Sequence, residues 1–163
     1  MKILLLTLAT GIGATVAMDI WSLLAKALFG LSAPRFDWVG RWLAHMRYGR
    51  FWHIRIADAA PIRGEQPLGW SVHYLTGVLF AGLLPLLAGP GWFDRPTLGP
   101  ALLIGVATVA APFLIMQPAM GAGLAARHTA NPGNARWQSL LNHTVFGIGL
   151  FVSAWIAKTL TGY

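Results

Sequence analysis

Residues 98–125, LGPALLIGVATVAAPFLIMQPAMGAGLA, run for 28 positions without an aspartate, glutamate, lysine or arginine. A helix needs about 20 such residues to cross the hydrocarbon core of a bilayer, so this stretch reads as a membrane span. Pro112 and Pro118 within it remove backbone donors and predict a kink, tolerable in lipid only where neighbours satisfy the freed carbonyls. Three more spans of the same character are expected at about 3–29, 69–88 and 138–159. Gly89-Pro90-Gly91 and Asn131-Pro132-Gly133-Asn134 are turn signals on either side of residues 98–125, as antiparallel hairpins require.

The whole chain supports that reading. Of 163 residues, 56% are hydrophobic and 10% charged, with a mean hydropathy of +0.59. That is too little charge to cover a water-soluble surface. The fold class expected is all-α: a polytopic membrane protein, a four-transmembrane-helix antiparallel bundle forming a single domain over residues 1–163. The absence of cysteine excludes disulfides, thiolate metal sites, iron–sulfur clusters and c-type haem attachment. Lys2 followed by Ile3-Leu4-Leu5-Leu6 resembles the start of a secretory leader. The apolar run nevertheless continues to Phe29 without a small-x-small cleavage site, and a first span is expected instead.

Orientation follows from the basic residues. Lys26, Arg35, Arg41, Arg47, Arg50, Arg55, Arg63, Arg127 and Arg136 fall on the side of the long connection at about 30–68, nine against three opposite (Lys2, Arg95, Lys158), within a net charge of +7. The positive-inside rule assigns that connection to the cytoplasm and both termini to the outside. Trp70 and Trp137 then mark the inner interface, and Trp92 and Trp155 the outer one. Within the connection, Trp38, Val39, Trp42, Leu43 and Met46 recur at helical spacing, which predicts an interfacial amphipathic helix over 37–48 anchored in lipid by Trp38 and Trp42. Each span also carries a strip of small residues: Gly13/Ala17, Gly77/Ala81, Ala101/Gly105 and Gly149/Ser153. Such strips let helix backbones approach closely in lipid.

Threading direction combined with position places polar groups from all four spans at one depth in the inner leaflet: Asp19, His73, Met116-Gln117 with Met120, and Asn142-His143. An unpaired ionisable group there costs about 3 kcal/mol, so these side chains are expected to turn inward and meet. Asp19 shares a helix face with Thr15 and Ser22, and Lys26 is a candidate counter-charge. The sharpest expectation is one cavity holding Asp19, His73 and His143, with Gln117 and Glu65 at its margin and His45 and His53 contributed by the connection.

The motifs Gly13-Ala14-Thr15 with Met18-Asp19-x-Trp21, Gly40-Arg41-Trp42 with His45, Ala60-Pro61 with Gly64-Glu65, Gly69-Trp70 with His73-Tyr74, Gln117-Pro118-Ala119-Met120-Gly121, and His143 with Phe146-Gly147 span nearly the whole chain. Together they resemble a bacterial family of small inner-membrane proteins, domain of unknown function 2938. The resemblance implies a four-span protein of the bacterial inner membrane and no catalytic role. His128 lies outside the pattern.

The chemistry open to the cluster divides into two classes. In one, Asp19, His73 and His143 bind a metal ion or a small lipid-soluble ligand, or move protons, with Glu65 as an oxygen donor. In the other, the protein is a noncatalytic accessory or assembly subunit whose polar layer only specifies packing. A small dimeric transporter is a third reading. Met116 and Met120 form either a soft pair suited to copper(I) or core filling. No spacing such as H-E-x-x-H supports a metal directly, haem ligation by His73 and His143 is disfavoured, and no nucleic-acid, nucleotide or hydrolase motif is present. The partners expected are the lipid bilayer and either a second copy of the chain or a larger membrane complex.

Overall fold

The structure is a computed structural model that describes residues 1–161. Among these residues every regular element is helical: α1 (Lys2–Phe29), α2 (Phe36–Met46), α3 (Glu65–Ala81), α4 (Leu83–Leu87), α5 (Leu98–Ala107), α6 (Gln117–Ala119) and α7 (Pro132–Thr161), with short 3₁₀ turns between them. Four helical stretches, Lys2–Phe29, Glu65–Leu87, Leu98–Ala119 and Pro132–Leu160, are long and apolar enough to cross a membrane.

Their ends show why the expected limits shift. The second stretch begins four residues early because Pro67 falls in the first helical turn, where its missing donor is not needed. The fourth begins at Pro132, and the Asn131 side chain accepts the Asn134 N–H at 3.3 Å. The third stops at Ala119 instead of running to 125, since Gly121 and Gly123 turn the chain at φ 92° and 73°. It is also interrupted. Residues Pro112–Met116 form a π-helical turn in which the Gln117 N–H reaches the Pro112 carbonyl, five residues back. The expected distortion at the prolines is thus a locally widened helix.

The chain divides into two compact units: residues 1–33, 74–108 and 140 onward, and residues 34–73 with 109–139. In the first unit small residues form the seams, Gly105 and Gly149 from the expected strips and Gly11 from outside them. A Cβ on Gly11 would lie 2.5 Å from Val78 Cα, one on Gly105 2.3 Å from Gly147 Cα, and one on Gly149 2.9 Å from Ala14 Cα, so α1/α3, α5/α7 and α1/α7 meet backbone to backbone. Leu6, Leu84, Ile104, Phe146 and Leu150 fill the space around those seams. Trp92 corrects one expectation. It is 5% exposed within this core, its indole N–H donating to Thr97 Oγ1 at 3.2 Å, and is not an interfacial ring. Trp155 and, in the second unit, Trp137 are exposed, at 55% and 60%.

In the second unit α2 packs against the first turns of α3. A Cβ on Gly40 would fall 1.7 Å from the Glu65 carbonyl oxygen, and one on Gly69 1.8 Å from that of Phe36. The face of α2 turned inward is Gly40, Arg41, Ala44 and His45, all buried, whereas Trp38, Val39, Trp42 and Leu43 on the opposite face are only half-buried. The amphipathic helix is therefore present, with its small and polar face against protein and its apolar face outward.

Candidate functional site

Two polar pairs cross helices in the first unit. Asp19 on α1 accepts a hydrogen bond at Oδ2 from the Tyr74 hydroxyl on α3, at 2.9 Å. Thr15 and Ser22, on the same face as Asp19, donate instead to carbonyls of their own helix, those of Gly11 and Met18. His143 on α7 meets Thr108, at the end of α5, with Nδ1 3.1 Å from Oγ1. The Thr108 hydroxyl proton is committed to the Gly105 carbonyl at 2.7 Å, so Oγ1 accepts from His143 and the imidazole carries its proton on Nδ1.

The second unit holds the remaining candidates in other arrangements. His73 lies in an aromatic group, its ring centroid 4.3 Å from that of Phe36 and 5.9 Å from that of Trp70. Glu65 is clasped by Arg41: Nε to Oε2 at 2.8 Å and NH2 to Oε1 at 2.7 Å, with both side chains largely buried. Arg41 NH1 donates further to the Ile56 and Ala59 carbonyls, and Glu65 Oε2 also accepts the Ile62 N–H. The Glu65 carboxylate beside it raises the Arg41 pKa, against the opposing effect of burial. His45 and His53 approach to 2.8 Å between Nδ1 and Nε2. Burial, with His45 adding to it, holds the His53 imidazole below its ordinary value. Gln117 reaches Ser139 at 3.5 Å, and its Oε1 and the His53 Nδ1 are buried without a hydrogen-bond partner. Met116 and Met120, joined by the Met120 N–H to the Met116 carbonyl, are half-buried at the end of the third span.

The residues that sequence reasoning passed over are the partners: Tyr74, Thr108 and Arg41. Tyr74 adjoins a singled-out histidine, and Arg41 was counted with the loop cations. Among the described residues no group of three from His, Asp and Glu is able to hold a metal ion. The donors present thus do not fit a resident metal, and Glu65, the expected oxygen ligand, has both oxygens on Arg41.

A family model described as Protein of unknown function (DUF2938) matches residues 8–157. The chain belongs to this family. No curated protein and no solved structure matches it. Both polar pairs and the Arg41–Glu65 clasp of this DUF2938 chain lie inside the matched range.

Proposed function

We propose that the protein is a multi-pass protein of a bacterial inner membrane, with both termini outside, that binds a small lipid-soluble ligand through Asp19, Tyr74 and His143. The observation that carries this reading is the Asp19–Tyr74 hydrogen bond at 2.9 Å within spanning helices. A carboxyl group left unpaired at that depth costs about 3 kcal/mol, and an intramembrane acid held by a side chain of a neighbouring helix is a candidate for function. A phenol donating to a carboxyl group, with an imidazole of fixed tautomer in the same unit, suits proton-coupled binding of a carbonyl- or hydroxyl-bearing ligand.

The test is organic extraction of the purified full-length protein, followed by mass spectrometry of the extract. A small molecule enriched with the native chain should be lost from Asp19→Asn and reduced in Tyr74→Phe. Identical extracts from all three, with only thermal stability altered, would refute ligand binding. They would favour the second reading, an assembly subunit. The closed Arg41–Glu65 network supports that alternative, because a charged pair with its main acceptors already filled fixes geometry and offers little to a ligand.

A further inference from the structure

The connection between α2 and α3 carries a surface that the polar pairs do not explain. Tyr48, Phe51, Trp52 and Ile54 are 64%, 53%, 70% and 93% exposed, interleaved in sequence with Arg47, Arg50 and Arg55. The backbone beneath them is held firmly. The His53 N–H donates to the Ala119 carbonyl at 2.8 Å, the Ile56 N–H to that of Met120 at 3.0 Å, and the Trp42 indole to the Phe51 carbonyl at 2.9 Å. A Cβ on Gly121 would sit 2.0 Å from the Ile54 carbonyl oxygen, so the segment lies flat against the chain there. Ala119 is the last residue of the spanning stretch Leu98–Ala119. Hydrogen bonding to that point ties the segment to the end of a helix long and apolar enough to cross a membrane.

Beside the exposed rings, Arg50, Trp52, His53, Ile54, Arg55 and Asp58 border an open cleft of about 380 Å³. Asp58 lies 3.5 Å from Arg55 and offsets one of its two arginines, which leaves a net positive rim. We propose that this cleft binds the phosphodiester headgroup of an anionic phospholipid of the protein's own bilayer, with Trp52 and Ile54 against its acyl chains. Charge selects the occupant. A zwitterionic headgroup brings a cation that the arginines repel, whereas an anionic one meets them directly. Depth selects a lipid over a soluble partner, since aromatic and aliphatic side chains fixed at the membrane boundary are solvated by headgroups and acyl chains.

The test uses the full-length protein in detergent micelles, titrated with phosphatidylglycerol, phosphatidylcholine or inorganic phosphate and read by native mass spectrometry. Phosphatidylglycerol should be retained in preference to phosphatidylcholine, and Arg50→Gln with Arg55→Gln should reduce that preference by about fivefold per arginine. Arg63→Gln, an exposed arginine of the same unit outside the cleft, should leave it unchanged. Equal retention of the two lipids by the native chain, or a preference untouched by the double variant, would overturn the proposal. So would an Arg63→Gln effect as large as that of the cleft arginines, which means a diffuse field, or displacement of the lipid by inorganic phosphate, which means a free-anion site. If circular dichroism shows the double variant unfolded, Trp52→Ser decides: retention of both lipids should weaken, and unchanged retention refutes the site.

Discussion

Arg41 illustrates how a buried charge constrains its surroundings. Its guanidinium makes two bonds to one carboxylate and two to carbonyls, leaving little capacity unused. Removing only one partner strands the other, so Arg41→Leu or Glu65→Leu should each cost about 3–5 kcal/mol, while the double leucine variant costs less than either. Thermal unfolding of the full chain in detergent measures this, and additive losses would contradict it. His53 gives a pH dependence. Its pKa is depressed by burial, the His45 ring and Arg50, against the opposing Ala119 carbonyl. The unfolded chain is therefore protonated first. The stability His53 contributes is present above its unfolded pKa of about 6.5 and is lost as pH falls toward the depressed folded value. The unfolding midpoint should drop as pH falls below about 6.5, and His53→Asn should flatten that slope. Ala126 stands at φ 59°, a left-handed conformation costing about 1–2 kcal/mol with a Cβ. Ala126→Gly should raise the midpoint.

Among the elements, α2 and α3 are joined where glycine leaves no side chain. Gly40→Ala or Gly69→Ala drives a methyl group into a carbonyl oxygen and should cost more than ordinary overpacking, about 1–3 kcal/mol. Gly99→Ala, whose Cβ would meet nothing within 4 Å, should be neutral. The same contrast separates what was legible in the sequence from what was not. Spans are legible because hydropathy sums along a helix, and their seams because a missing Cβ is visible in the residue type. The partner of Asp19 was not: depth along the axis places His73 and Tyr74 together, but one residue rotates a helix face by about 100°. Nor was the Arg41–Glu65 clasp, since a charge in a basic connection counts equally toward orientation whether it is solvated or, as here, buried against α3.

For the molecule as a whole, the nine-to-three distribution of basic residues predicts that the connection at about 30–68 is cytoplasmic. The cysteine-free chain makes the test clean. Ala60→Cys and Gly91→Cys both introduce thiols at exposed positions, which the predicted topology assigns to opposite sides of the membrane. In intact cells an impermeant maleimide should label position 91 and leave position 60 unlabelled until the membrane is opened. Labelling in the reverse order would invert the topology.

The π-helical turn at Pro112–Met116 acts as a phase shifter. By holding one residue more than an α turn, it sets back the angular position of everything after it by about one residue, and Gln117 faces Ser139 from that shifted angle. A helical wheel drawn through residues 98–119 as one continuous α-helix therefore assigns the wrong azimuth to its last residues. Deleting a single residue between 112 and 116 would restore the regular period and leave Gln117 near its present bearing, whereas straightening the turn without a deletion would swing it by about 100°, so the turn absorbs one residue's worth of register in the third span.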